Sequence, residues 1–295
     1  MHNKKAVLAT LASALLFATS ATSRSLSGVE ASSISIATVR LLIGALGLLF
    51  FAKFFVKDFS IRALLKKKII WIMGLGVAGY QAFFFIGTGL TGVAIGTLSS
   101  LALAPLMAGL LSWIWHGNRP TSSWWISTMV AVVGLVVLSW SGLEDSNINL
   151  LGVSAALMAG AAYAVYTVVG VDLAHSGNSA TGVLAVSFSI GAVVLLIVSG
   201  GRFGELASTN GILLTLWLGL VATSFAYVLF GLGISKLTAG TVATLNLAEP
   251  LAATFLGLVV LHETISFLSA VGCALIAASL TFLAIITAKE TANDI

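Results

Sequence analysis

Ten apolar runs dominate this 295-residue sequence, each long enough to cross the roughly 30 Å hydrocarbon core of a bilayer as a helix of about 20 residues. They fall at residues 5–23, 33–55, 69–90, 93–115, 123–141, 150–173, 180–199, 211–235, 239–261 and 265–288. A spanning segment has no water to satisfy its backbone, and these runs lack the two-residue alternation of barrel strands. The expected fold is therefore an all-α integral membrane protein with ten transmembrane helices. Composition supports this by exclusion. Charged residues make up 8% of the chain, against about 25% in a soluble domain, too few to clothe a water-facing surface. The single cysteine, Cys273, excludes an internal disulfide framework and a cysteine metal cluster.

Orientation follows from the basic residues between the runs. Alternate connections hold Lys4 and Lys5, then Lys53, Lys57, Arg62, Lys66, Lys67 and Lys68, then Arg119, Lys236 and Lys289, whereas the opposite set holds only Arg24 and Arg202. Positive residues stay cytoplasmic, so both termini are expected inside and the Glu144-Asp145 connection outside. The net charge of +4 is thus a matter of topology and of attraction to anionic lipid, with no nucleic acid implied. Trp113, Trp115, Trp124, Trp125 and Trp140 lie near run ends, as interfacial anchors do. Lys4-Lys5, the first apolar run and the small residues around Ala21 also fit a cleaved signal peptide. The first run is read as a span because an internal repeat requires it.

That repeat is visible around the fourth and ninth runs. Gly96-Thr97, Leu101 and Leu103-Ala104 match Gly240-Thr241, Leu245 and Leu247-Ala248 at a spacing of 144. The register then slips by the insertion of Glu249, and Pro105-Leu106, Ala108 and Leu111 match Pro250-Leu251, Ala253 and Leu256. Residues 1–142 and 149–290 become two five-helix copies. An odd helix number inverts the second copy in the membrane, and inverted repeats place a substrate site near the midplane between rocking halves.

Charges inside the runs constrain the site, since each costs about 3 kcal/mol or more there and is expected to face protein or a water-filled cavity. Glu249 sits halfway along its run beside Pro250, and is read either as a group that binds an amine or takes up a coupling proton, or as a structural acid. Arg40 is read as structural, pairing with carbonyls or an acid. The polar and aromatic groups at membrane depth, Tyr80, Gln81, Phe83, Ser99, Tyr163, Tyr166, Ser224, Tyr227 and Asn246, suit a neutral or zwitterionic aromatic solute better than a sugar phosphate. Pro105 and Pro250 are expected to kink their helices.

Familiar cofactor signals have simpler readings. Gly74-Leu75-Gly76-Val77-Ala78-Gly79 and Gly87-Thr88-Gly89-Leu90-Thr91-Gly92 fit the dinucleotide spacing but open no strand-to-helix turn, and they read as close helix packing. No phosphate loop is present, and His2, His116, His175 and His262 fall at run ends, away from any metal centre within the membrane. No cofactor is expected.

The five-plus-five pattern, Arg40 in the second helix, a proline in each fourth helix, and Leu247-Ala248-Glu249-Pro250-Leu251 followed by Leu261-His262-Glu263 resemble the EamA-type drug/metabolite transporter superfamily. Within it the chain is similar to bacterial aromatic amino acid exporters. That resemblance implies a secondary transporter in the bacterial inner membrane, exporting aromatic and other neutral amino acids through a central cavity. Its partners would be a small-molecule substrate and the bilayer, with monomer and homodimer both open. Ala104 stands before Pro105 where the second copy has Glu249, so any acidic role belongs to one half. A non-transporting intramembrane enzyme or scaffold is the alternative, although no nucleophile-and-base pair or metal motif accompanies the lone acid.

Overall fold

The computed structural model describes residues 2–117, 119–140, 149–201 and 203–290. Arg202, the Glu144-Asp145 connection and the end of the fifth run at Ser141 lie outside the described residues. The protein is all-helical: α1 (His2–Ser27), α2 (Ser33–Phe55), α3 (Ile61–Leu65), α4 (Lys68–Thr91), α5 (Val93–His116), α6 (Ser122–Leu138), α7 (Leu150–His175) and α8 (Ala180–Ser199) lead into the interrupted eighth and ninth spans. The eighth comprises α9 (Thr209–Leu216), nine residues of π-helix (Trp217–Phe225) and α10 (Ala226–Ile234). The ninth comprises α11 (Ala239–Leu245) and α12 (Ala248–Val260), and α13 (Phe267–Glu290) closes the bundle. Among the described residues nine stretches are long and apolar enough to span a membrane, and Ser122–Leu138 is a shorter apolar helix. Its 17 residues reach only about 25 Å at the usual rise.

Small hydroxyl and amide side chains set where spans begin. Ser32 Oγ accepts from the Ser35 amide at 3.2 Å, and Thr121 Oγ1 from the Trp124 amide at 3.2 Å. Asn149 Oδ1 takes the amides of Leu151 and Gly152 at 3.0 and 3.2 Å. Each satisfies donors that a helix start would leave bare in an apolar medium. Gly92 at φ +84° joins α4 directly to α5, a conformation that glycine adopts without steric cost.

The two prolines behave differently. Pro105 lies within the continuous α5, whereas the chain breaks at Asn246-Leu247, before Pro250. Pro250 has no N–H for the Asn246 carbonyl four residues back. The Glu249 amide takes that carbonyl instead at 2.9 Å, and the Leu247 amide bonds Thr244 O at 3.0 Å, so the turn tightens and a new helix begins at Ala248. In the second copy the helix is interrupted before the proline, while in the first it is continuous past Pro105.

The largest buried cluster runs from the middle of the bundle to one end. It joins Ala6 and Val7 of α1, Leu48 of α2, Met73 of α4, Leu184 of α8, Phe230 and Ile234 of α10, and Val242 of α11. All are 4% exposed or less. This is the lysine-rich end, with Lys53, Lys68 and Lys236 on its rim.

Candidate functional site

A cavity of about 1080 Å3 occupies the other half of the bundle. Its mouth is framed by the α1–α2 connection at Gly28 and Glu30, by Val93, by Ser139, and by Glu263 and Thr264. Its inner lining, Phe17, Tyr163, Tyr166, Tyr227 and Ala243, belongs to the buried cluster, and none of Lys53, Lys68 and Lys236 at the far end reaches it, so the cavity opens at one end. Sealing is reinforced by polar contacts: His116 Nε2 of α5 lies 3.3 Å from Asp172 Oδ1 of α7, and Lys67 Nζ donates to Asn178 Oδ1 at 2.7 Å.

The inner wall is aromatic. Tyr80 on α4 meets Tyr163 and Tyr166 on α7 edge to face, with ring centroids 5.7 and 6.2 Å apart. Tyr163 and Tyr166, three residues apart on one helix face, stand 4.9 Å from each other. Tyr166 and Tyr227 share a hydrogen bond between hydroxyls at 3.2 Å, and the Asn246 amide donates to Tyr163 Oη at 2.7 Å. Four separate elements thereby lock one polar floor.

Arg40 and Glu249 both face this cavity. The guanidinium acts on the carboxyl electrostatically. Yet among the described residues the ion pair within 4.0 Å is His116–Asp172, and neither Arg40 nor Glu249 has a partner there. Arg40 Nε is buried with no hydrogen-bond acceptor. A guanidinium and a carboxyl therefore line one space without pairing within 4.0 Å.

Of the residues singled out in the sequence, Arg40, Tyr80, Gln81, Tyr163, Tyr166, Tyr227, Asn246, Glu249 and Pro250 line the cavity. Phe83, Ser99, Ser224 and Pro105 do not. Helical spacing explains the first two: Phe84 lies four residues from Tyr80 and Phe85 four from Gln81, so these rings share the lining face and Phe83 does not. Likewise Thr97, Leu101 and Ala104 form the inward stripe of α5, which misses Ser99. Ser224 lies buried against α2, its hydroxyl donating to Gly44 O at 3.0 Å and Gly219 O at 2.9 Å. The latter bond spans five residues and suits the widened π-helical turn. Phe84, Phe85 and Thr97 were recoverable from the sequence by extending the same stripes.

The family model described as the EamA-like transporter family matches twice, over residues 4–140 and 150–285. An uncharacterized transporter of Bacillus subtilis, YwfM, is 32% identical over 266 residues, covering 90% of this chain and 88% of that one. The threonine/homoserine exporter RhtA of Salmonella typhimurium is 30% identical over 240 residues, covering 80% and 78%. A solved crystal structure of a protein superposes with a TM-score of 0.82 at 20% identity, over 96% of this chain and 98% of that one, a likeness of fold.

Proposed function

The chain belongs to the EamA-like transporter family, and on that footing we propose that it exports neutral amino acids, held as zwitterions between Arg40 and Glu249. One observation carries the reading: an unpaired cation and an unpaired anion share the wall of a single cavity, at a depth where a lone charge is expensive. A free amino acid brings the complement of both, its carboxylate to the guanidinium and its ammonium to the carboxyl. The volume is ample, since sites for small organic ligands run to about 300–1,000 Å3. The amino acid exporters among the relatives support the same class.

Alternating access follows from the pairing of an open end with a sealed one. With the lysine-rich end in the cytoplasm and both termini inside, the mouth at Glu30 and Glu263 faces outward, and this is the releasing form. The two copies, residues 1–142 and 149–290, are the rocking units. A bacterial plasma membrane is the location that the relatives' bacterial sources support. A reporter fused after Ile295 is expected to be active only in its cytoplasmic form and one placed at Ser146 only outside; an external C-terminus would remove the scheme.

Two side-chain classes have support. The floor of Tyr80, Tyr163, Tyr166 and Tyr227, with Phe84 and Phe85 above, favours aromatic amino acids. The RhtA relatives favour small hydroxyl side chains. Liposomes holding the purified protein and loaded in turn with labelled phenylalanine, tyrosine, tryptophan, threonine, lysine and citrate, with and without a proton gradient, test the proposal. Efflux of the neutral set is expected; preferential efflux of lysine or citrate would sink the zwitterion site, and efflux of none would favour a scaffold.

A further inference from the structure

Outside the cavity, a second hollow opens toward the bilayer near the lysine-rich end. It holds about 290 Å3 and is walled by Leu49 of α2, Ile61 and Leu65 of α3, Trp71 of α4, and Ile190 and Val193 of α8. It offers no free polar group: Ser189 Oγ turns back to Ala185 O at 2.7 Å, and the Trp71 indole N–H donates to Leu65 O at 3.1 Å. Its outer wall is fixed. Leu64 is buried beneath α3, and Phe59, just before that helix, seats on Gly182 so closely that a Cβ there would stand 2.9 Å from the ring.

The residues that flank these wall positions in sequence are the opposite of the groove. Lys53 follows Leu49 by one turn of α2, Arg62 and Lys66 directly follow Ile61 and Leu65, and Lys68 precedes Trp71 by a turn. These cations are exposed, and none has a carboxylate within 4.0 Å among the described residues. Positional topology alone asks only that cations be near this end. It does not ask that four of them sit within one helical turn of residues that wall an apolar groove.

We propose that the groove binds one anionic phospholipid, with an acyl chain in the channel and the phosphate on the rim formed by Arg62, Lys66 and Lys68. A slim chain matches the apolar walls, and near-surface cations attract an anionic headgroup. A neutral lipid would fill the channel and leave the rim to water, whereas soluble phosphate would meet the rim and leave the channel empty. α8 packs directly on α2 and α4, which carry Arg40, Tyr80 and Gln81, so the lipid braces the back of the cavity wall. The site stands whether or not amino acids are the cargo.

Tryptophan quenching by lipids brominated on their acyl chains tests this in nanodiscs of phosphatidylcholine. Brominated phosphatidylglycerol is titrated against brominated phosphatidylcholine, and the share of Trp71 is read by difference from Trp71→Phe. Quenching of Trp71 is expected to favour phosphatidylglycerol by about tenfold and to lose that preference in the surface double variant Arg62→Gln/Lys66→Gln. Trp217, exposed on another face, serves as the reference through Trp217→Phe. Equal preference at Trp71 and Trp217, equal quenching by both lipids, or a preference untouched by the double variant would overturn the site.

Discussion

Glu249→Gln is expected to insert and fold like the parent yet to transport about ten- to a hundredfold less well, the loss of one charge-assisted contact to the substrate ammonium. The amide keeps the shape of the side chain and loses its charge. No ion pair within 4.0 Å is broken by the change, because the carboxyl lines the cavity without such a partner among the described residues. The sign of the pH response follows. In the proposed site, protonating Glu249 removes the anion that would hold the ammonium, so apparent substrate affinity of the wild type is expected to fall as the open side is acidified and to recover as pH rises. The Gln variant has nothing to titrate there and stays flat. Liposome uptake by equal amounts of monodisperse protein across pH measures both effects. Equal rates at every pH would make Glu249 a brace for the α11–α12 break.

The second large effect concerns stability. On the face between α6 and α13, Gly134 and Gly272 bring two backbones into contact: a Cβ at Gly272 would stand 2.6 Å from the Gly134 carbonyl and would also overlap the Leu138 amide. These are main-chain atoms of a packed helix, with no flexible end to swing aside. Gly272→Val is therefore expected to cost about 3 kcal/mol, the upper part of the usual overpacking range, and to lower the thermal midpoint in detergent. Gly89→Ala is the control, because nothing lies within 4 Å of its added Cβ and alanine favours helix. A variant as stable as its parent would mean that the helices separate more easily than their contact implies.

The spans were legible because a bilayer admits so few solutions. Any apolar run of that length must be a helix, and the runs at 33–55 and 180–199 coincide with α2 and α8 to the residue. What escaped lay where local chemistry overrides the run. α3 is a single turn in a lysine-rich connection, too short for any periodicity to register. The π-helix at Trp217–Phe225 depends on Thr223 and Ser224 bonding five residues back, and on Gly44 and Gly47 of α2 making room for them. That partnership is tertiary and leaves no mark on a hydropathy profile. Pro250 announced a disturbance, but whether a proline bends or breaks its helix depends on which amide reclaims the freed carbonyl. The cavity charges were conspicuous as expensive residues. Their separation depends on how α2 and α12 are placed, and no spacing encodes that.

The sealed end has an electrical consequence. In the proposed orientation, with the cavity open to the outside, water in it would carry the outside potential inward, and most of the membrane voltage would drop across the packed layer around Met73, Phe230 and Val242. A charge crossing that layer does work of about 2.3 kcal/mol per 100 mV. Arg40 and an ionised Glu249 cancel, and so would the ammonium and carboxylate of the proposed amino acid cargo, so a cycle that carries only the zwitterion would move no net charge and ignore the voltage. A cycle that returns with a proton on Glu249 moves one positive charge inward and is driven by a negative interior.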